Sequence, residues 1–564
     1  MTGAKMVIEA LQLEGTEVVF GYPGGAIMNV YDEIYKQNYF QHILTKHEQG
    51  AVHAADGYAR ATGEVGVAIV TSGPGFTNAV TGLATAYMDS IPMVCISGQV
   101  PNNIIGTDGF QEIDAIGISR PCTKHNYLVT DLADLPRVLK EAFYLAANGR
   151  PGPVHVDIPK DITAEMGLFE YPTEVNLPTY KPTVKGNGRQ IKKALEAIAE
   201  SKRPLLYIGG GAILSNCSDE IREFAKATGI PAVETLMARG VMGSKNEFMI
   251  GMLGMHGEYA ANMAMYETDC IISLGARFDD RVTGRLDKFG KNAKIIHVDI
   301  DPANVGKIVH VNYPIVGDLK NVMEDIVGMT KNFDFNDYTG WVSKIREYQK
   351  EEPLKYHDSK EGELLKPQWV IERTGEILGD DAIVSTDVGQ HQMWAAQFYP
   401  FNYPRQWITS GGLGTMGFGL PAAMGVKRAF PDKISVNFTG DGSIMMNCQE
   451  IITATQYGLP TVNIILNNNY LGMVRQWQTF FYDDRLAETV LDIQADFSML
   501  CQSMGGIGFR VTTKEEFDVA LKEAAASDRT AFIEVMIDRR ESVYPMVPNG
   551  HALNEMHLLE EENK

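Results

Sequence analysis

Little in this sequence suits a secreted, membrane-spanning or nucleic-acid-binding protein. Cysteine is sparse: Cys95, Cys122, Cys217, Cys270, Cys448 and Cys501 are scattered without a C-x-x-C pair. That argues against a disulfide framework or a thiolate metal site, and the expectation is reduced, buried thiols in a cytoplasmic protein. No apolar run approaches the roughly 18 residues of a membrane span. The opening stretch, MTGAKMVIEALQLEG, reads as an amphipathic helix and lacks a cleavable secretory pattern. Basic side chains are outnumbered, with 50 Lys and Arg against 71 Asp and Glu, for a net charge of −21. Such a balance disfavours nucleic acid and anionic membranes as partners, yet leaves room for a small anion bound by local cations. Low-complexity segments and clear repeats are missing as well.

What is present is an alternation of short apolar runs with helical stretches. VGVAIVTSGPG, IPMVCISGQ, PVHVDIP, RPLLYIGGG, CIISLGARF, AKIIHVDID, KISVNFTGDG and TVNIILNN are examples, several ending in Gly, Ser, Asp or Asn. Apolar strands separated by helices indicate α/β domains built on doubly wound parallel sheets, covered on both faces. In such sheets ligands bind at the carboxyl ends of the strands, where these polar residues fall. A proline-punctuated stretch ending at Gln190 and a charged one ending at Gln368 read as linkers. They divide the chain into three blocks, 1–170, 190–345 and 366–540, followed by a tail, 541–564.

The third block carries the clearest chemistry. KISVNFTG is a strand, Gly440-Asp441-Gly442 the turn at its carboxyl end, MMNCQEIITATQYG the next helix, and TVNIILNN a second strand. A parallel βαβ unit returns to the same edge of the sheet, so Asp441 and Asn468 can sit close together at neighbouring strand tips. One carboxylate and one amide oxygen suit Mg²⁺, which takes few protein ligands and completes its octahedron with water and phosphate. Gly442 removes a side chain where backbone must approach a phosphate, and the helix beginning near Ser443 adds N–H donors. The stretch reads as an anchor for Mg²⁺ and a diphosphate. The plainer reading is a turn Asp and a turn Asn that never meet. A rival lies just upstream: Gly412, Gly414 and Gly417 form a literal G-x-G-x-x-G, and Asp441 follows at nearly the distance of a dinucleotide fold's ribose-binding acid. That would make the chain an NAD(P) dehydrogenase, but it leaves the second glycine and the asparagines without a role.

Gly-Asp-Gly, helix, strand and Asn-Asn together resemble the signature of the thiamine-diphosphate (ThDP) enzymes. The resemblance implies that Asp441 and the Asn468 side chain ligate Mg²⁺, with the backbone carbonyl of Tyr470 as third ligand. Gly414 and its neighbours would leave room for a flat heterocycle, and Met416 would wedge beneath a bent cofactor. Val388, Gly389, Gln390 and His391 would help hold the diphosphate, and Leu471, Gly472 and Met473 would lie near the cofactor. In the first block, HEQGAVHAADGYARATG looks like the family's glutamate motif, preceded by Tyr22, Pro23, Gly24 and Gly25 of GYPGGAI. Glu48 would then be the sheltered acid that stabilises the cofactor's imino tautomer. Its plainer reading is a surface glutamate at a helix start. In this family the first and third blocks meet across a subunit boundary, so the resemblance implies a homodimer or a homotetramer.

TDGFQEID, GRPGPVHVDIPKDI, GMLGMHG, GARFDDRVTG, TSGGLGTMGFGLPAA and GYPGGAI together resemble the acetohydroxyacid synthases (acetolactate synthases), biosynthetic type, over nearly the whole chain. The resemblance implies decarboxylation of pyruvate and carboligation to a second 2-keto acid, pyruvate or 2-ketobutyrate, on the way to branched-chain amino acids. Arg281 would hold the acceptor's carboxylate with paired hydrogen bonds, the alternative being a surface ion pair with Asp279 or Asp280. Trp477 would line the acceptor pocket, the alternative being a core tryptophan. Phe110, Gln111 and Lys160 would complete the mouth of the site, and the tail would cap it when ordered. The middle block looks like the family's FAD domain, with Arg150, Gly209, Gly210, Gly211, Thr235, Leu236, Met255, His256, Gly275, Arg277, Asp299 and Asp318 matching flavin contacts. A small regulatory subunit is the implied partner. Within the same enzyme class a pyruvate oxidase or glyoxylate carboligase is the alternative; outside it, a non-catalytic nucleotide-binding subunit.

Overall fold

The structure, a computed structural model, describes residues 1–560, so the last four positions of the 541–564 tail lie outside the described residues. The chain forms two compact units. The first comprises Met1–Lys181, Asp381–Gly389 and Ile408–Met536; the second comprises Pro182–Asp380, Gln390–Trp407 and the segment from Ile537 onward. The first and third sequence blocks thus share one unit, although nearly two hundred residues of other structure separate them.

The first unit holds two six-stranded sheets. One contains β1 (Val18–Gly21), β2 (Gln41–Leu44), β3 (Gly66–Val70), β4 (Met93–Gln99), β5 (His125–Leu128) and β6 (Pro153–Pro159), in the order β2-β1-β3-β4-β6-β5. The second unit's sheet is built from β7 (Pro204–Ile208), β8 (Ala232–Glu234), β9 (Met249–Met252), β10 (Cys270–Leu274), β11 (Lys294–Asp299) and β12 (Tyr313–Val316), ordered β12-β11-β10-β7-β8-β9. The first unit's other sheet has β13 (Ala382–Thr386), β14 (Trp407–Thr409), β15 (Ile434–Gly440), β16 (Thr461–Asn467), β17 (Ile507–Val511) and β18 (Ala531–Met536), ordered β14-β13-β15-β16-β18-β17. The paired strands whose registers are resolved run parallel. Central strands such as β3, β10 and β16 are buried along their whole length, as strands covered by helices on both faces must be.

Each sheet has a point where the connections from neighbouring strands diverge, between β1 and β3, between β7 and β10, and between β13 and β15. At such a point the two connections leave in opposite directions, and a crevice opens beyond the strands' carboxyl ends.

Small residues join the two sheets of the first unit. The helix Glu48–Thr62 packs on the helix Gly419–Ala429. A Cβ on Gly57 would lie 2.4 Å from the Ala422 carbonyl oxygen, and one on Gly425 only 2.1 Å from that of Ala54. Glycine at these two positions is therefore a requirement of close backbone approach. All six cysteines are free thiols, Cys448 half-buried and the others buried. Among the described residues no helix is long and apolar enough to cross a membrane.

Candidate active site

Past the carboxyl end of β15, Asp441 opens the short helix Asp441–Ile444; past that of β16 stands Asn468. The two strands are hydrogen-bonded neighbours, with Gly440 in register with Leu466, so both oxygen donors lie at adjacent tips. Gln494 Nε2 donates to the Asp441 Oδ2, and the Asn469 N–H donates to Asn467 Oδ1 at 3.0 Å. The Gly-Asp-Gly turn and the asparagine turn do meet. Asn468 Oδ1 accepts from the Tyr470 N–H at 3.0 Å, which folds 468–470 into a tight Asx turn with Asn469 at φ 54°. A Cβ on Gly442 would lie 2.8 Å from Leu471 Cδ2, so the two turns pack against each other. Burial pushes the Asp441 carboxyl up to about 6, against the opposing pull of its hydrogen bonds.

The residues fit Mg²⁺. One carboxylate, one amide and a backbone carbonyl form a sparse oxygen set of the kind this ion accepts. The described residues contain no cluster of three or more His, Cys, Asp or Glu that could hold a metal, and this donor set does not need one.

The crevice between β13 and β15 is the switch point of this sheet. Val388 and Gly389 lie just past β13, while Gln390 and His391 begin the helix Gln390–Phe398, which belongs to the second unit. Asp387, overlooked in the sequence, ties the crevice together. Its Oδ1 accepts from the Gly419 N–H at 2.8 Å and its Oδ2 from Thr439 Oγ1 at 2.6 Å. Gly414 (φ 71°) and half-buried Met416 lie in the turn after β14. The turn is held from one side by Ser443 Oγ, which accepts from the Gly417 N–H at 3.3 Å, and by Asn447 Nδ2, which donates to the Gly417 carbonyl at 2.7 Å.

The dinucleotide reading of Gly412, Gly414 and Gly417 fails on topology. In that fingerprint the glycine turn and the acid end adjacent strands. Here β13 separates β14 from β15, and the Asp441 carboxylate accepts from Gln494 Nε2.

The first sheet presents its own set at its carboxyl edge. Tyr22, Pro23, Gly24 and Gly25 follow β1, and a Cβ on Gly24 would lie 2.4 Å from Thr71, just past β3. Glu48 is the first residue of its helix, as the plainer reading had it, but its side chain is buried at 8% exposure. Asn78 Nδ2 donates to its Oε2 at 2.9 Å, and a Cβ on Gly75 would stand 3.3 Å from its Oε1. The turn carrying Glu48 is clamped by Glu450, whose carboxylate accepts the Lys46 N–H at 3.0 Å. Phe110, 90% exposed, and Gln111 (φ 60°) lie beyond β4, with Gln111 against the N-terminal turn at Gly73; exposed Lys160 follows β6. Half-buried Trp477 lies on the helix Gly472–Phe481, after Leu471 and in the same helix as Met473, with its ring edge-on to Phe481. It is not a core tryptophan.

Behind the Phe110–Gln111 loop runs a buried polar chain invisible in the sequence. Gln99 Nε2 donates both to the Ile113 carbonyl at 3.0 Å and to Asp157 Oδ2 at 2.9 Å; Ser97 Oγ bridges Asp157 Oδ1 and His155 Nε2. Burial raises Asp157 to about 7 and lowers His155 to about 3. Protonated Asp157 contributes stability that is fully present near pH 4 and is lost as the pH rises through 7. Asparagine can replace its hydrogen bonds without titrating. Relative to wild type, Asp157→Asn is therefore expected to be about 2 kcal/mol more favourable at pH 8 than at pH 5, measured by urea denaturation.

In the second unit the flavin candidates gather at one edge. Gly209, Gly210 and Gly211 follow β7, Thr235 and Leu236 follow β8, and Met255 and His256 follow β9. Gly275 and Arg277 follow β10, Asp299 ends β11, and Asp318 caps the helix after β12. A Cβ on Gly211 would lie 2.8 Å from the Gly275 Cα, so these two turns press together at the β7/β10 switch point. Two acids, a histidine and an arginine around a glycine crevice fit a dinucleotide such as FAD. Arg150 lies in the first unit, where its Nε donates to Ser90 Oγ at 2.8 Å. Arg281 is exposed: its Nε stands 3.7 Å from Asp280 Oδ2, while Asp279 pairs with Arg277 at 2.8 Å. The surface ion pair is present but long, and the guanidinium also approaches Met255 Sδ at 3.6 Å. The tail packs within this unit, with the Val547 N–H donating to the Met255 carbonyl at 2.7 Å and the Arg285 N–H to that of His551 at 2.9 Å.

Three family profiles match in chain order. Those described as thiamine pyrophosphate enzyme N-terminal TPP binding, central, and C-terminal TPP binding domains match residues 1–118, 191–326 and 387–535. The fold is that of a ThDP enzyme. Curated relatives narrow the class. The acetolactate synthase large subunit of Haemophilus influenzae is 50% identical over 99% of this chain and 98% of its own length. The acetolactate synthase isozyme 3 large subunit of Escherichia coli is 47% identical over 100% and 99%. The acetolactate synthase of Mycobacterium leprae is 46% identical over 99% and 90%. The chain belongs to the acetolactate synthase large-subunit family.

Proposed function

We propose that this chain joins two 2-keto acids with loss of one CO₂. Two pyruvates give 2-acetolactate; pyruvate and 2-ketobutyrate give 2-aceto-2-hydroxybutyrate. The observation that carries this reading is the meeting of the Asp441 and Asn468 turns at neighbouring strand tips, beside the sheet's switch point. Asp441, Asn468 and the Tyr470 carbonyl would hold Mg²⁺. Ser443 and the residues past β13 would face the diphosphate, and Met416 would set the bend of the bound coenzyme. Thiamine diphosphate, when bound, supplies an electron sink for the pair left behind by decarboxylation. Glu48 holds a proton at the coenzyme's pyrimidine ring nitrogen, sheltered by Asn78 and Gly75.

Gln111, Phe110 and Lys160 line the substrate's approach. Arg281 orients the acceptor through its carboxylate, a role that rests on the family resemblance and on a guanidinium's fit to that group. FAD at the second unit's glycine crevice takes no part in a reaction without net redox change. The chain works in the cytoplasm as a homodimer or homotetramer in which Glu48 of one subunit serves the coenzyme anchored by Asp441 of the other. The relatives' designation as large subunits supports a smaller regulatory partner.

Anaerobic incubation with pyruvate, 2-ketobutyrate, ThDP, Mg²⁺ and FAD tests the reading. Both hydroxy acids are expected, with the flavin's visible absorbance unchanged. Bleaching of the flavin at pyruvate's expense, without either product, would overturn it in favour of an oxidase. Trp477 tunes the choice of acceptor: contact with one extra methylene is worth about 1–3 kcal/mol. Trp477→Leu is therefore expected to lower the 2-ketobutyrate preference about tenfold in a competition assay, with acetolactate formation from pyruvate alone changed far less.

A further inference from the structure

Asp89 is an acid in an unfavourable place. It is the first residue past the helix Pro74–Met88, where the helix dipole opposes a negative charge, and its side chain is only 2% exposed. Its two oxygens are nonetheless fully used. Oδ1 accepts from the Gly412 N–H at 2.7 Å, and Oδ2 accepts from the Gly411 N–H and from Arg60 Nη2, both at 3.0 Å. Successive backbone amides converging on one carboxylate form an anion nest, here filled from within the protein. Arg60 is held in turn by the buried Asp56 carboxylate and donates through Nη1 to the Thr409 carbonyl at 2.7 Å. One helical turn before Asp89, Thr85 Oγ1 shares a 2.7 Å hydrogen bond with Thr415 Oγ1. The guanidinium also lies 5.2 Å from the centre of the Phe418 ring. Apart from the Arg60 pairs with Asp89 and Asp56, each of these contacts falls on the segment 409–418, which carries Met416.

We propose that Asp89, held by Arg60, is a positioning residue that latches the Met416 turn of the third sheet to the first sheet's helices. Ser443 and Asn447 grip the Gly417 end of that turn, and Asp89 grips the Gly411–Gly412 end. The wedge is thereby fixed against both sheets at once, and the bend it imposes on the coenzyme is set before binding. The inference rests on the reading of Met416 as that wedge.

Asp89→Asn keeps the shape but leaves one oxygen for three donors. In protein without coenzyme, hydrogen exchange at the Gly411 and Gly412 amides is expected to accelerate at least about tenfold, a loss that follows from removing their acceptor. With Mg²⁺ and ThDP bound, the exchange rate of the coenzyme's C2 proton and kcat are expected to fall together by about 10–100-fold, the scale of a misplaced catalytic geometry. Coenzyme Kd and pyruvate KM should stay within about threefold, because the strand-tip anchor is untouched. Unchanged amide protection overturns the latch, and so does a lowered melting temperature with C2 exchange intact at full coenzyme occupancy. Should Asp89→Asn fail to fold, Thr85→Val leaves the Asp89 nest in place and removes the Thr415 bond, together with a bond to the Thr81 carbonyl within the same helix. It is expected to slow C2 exchange in the same direction, by a few fold, and normal exchange in that variant overturns the proposal. Met416→Ala separates the two readings: normal C2 exchange there sinks the wedge, whereas the amide protection at Gly411 and Gly412 judges the latch independently.

Discussion

Replacing Glu48 by glutamine is expected to lower kcat by about 10²–10³-fold, the range of a lost general acid–base group. Mg²⁺-dependent ThDP affinity should stay within about threefold, because the anchoring turns are elsewhere in the chain. Glutamine is nearly isosteric, and its amide can still accept from Asn78 at the position of Oε2. The Glu450 clamp on the Lys46 amide persists, so the helix start stays in place. What disappears is a side chain able to hand a proton to the pyrimidine ring and take it back. Steady-state kinetics with pyruvate and calorimetric titration with ThDP read the two quantities separately. A kcat within a few fold of wild type would remove Glu48 from the mechanism.

Asp441→Ala is expected to act on binding rather than on the chemical step. The substitution deletes the one carboxylate at the paired strand tips and leaves Asn468 and the Tyr470 carbonyl as the remaining donors. ThDP affinity in the presence of Mg²⁺ should fall at least about 100-fold, the upper end of what losing a mere outer-shell partner of a metal costs. The same variant should no longer respond to Mg²⁺ at all. Titration calorimetry with and without the metal measures this, and far-ultraviolet circular dichroism shows whether the fold survives. Retained, Mg²⁺-dependent binding would place the metal elsewhere.

The strand tips at Asp441 and Asn468 and the glycine turn after β14 stood out in the sequence because each sits where an apolar strand gives way to glycine and polar residues, whereas Glu48 and the turn after β1 were singled out by the family resemblance. That local contrast marks a strand's carboxyl end without knowledge of its neighbours. Most of the flavin candidates share this signature, which is why they gather along one edge of the second sheet. The residues that hold these groups in place were not legible. Asn78 supports Glu48 from thirty positions away, Asp387 reaches Gly419 and Thr439, Gln494 reaches Asp441, and Asp89 reaches Gly411 and Gly412. Each is an ordinary polar residue in its local sequence, and its meaning comes from a crossover that brings distant segments together. The strand orders were hidden for the same reason: the alternation of strands and helices predicts parallel sheets, but not which strand lies beside which. Only that order disqualified the dinucleotide reading of Gly412, Gly414 and Gly417. The union of the first and third blocks in one unit was likewise beyond the linker pattern.

The most direct measurement is a product assay on protein stripped of coenzyme and metal, incubated with pyruvate while ThDP, Mg²⁺ and FAD are omitted one at a time. Acetolactate is expected only when ThDP and Mg²⁺ are both supplied. Acetolactate formed at an undiminished rate without ThDP, or without any divalent metal, would contradict the assignment of the Asp441–Asn468 tips as the coenzyme's anchor.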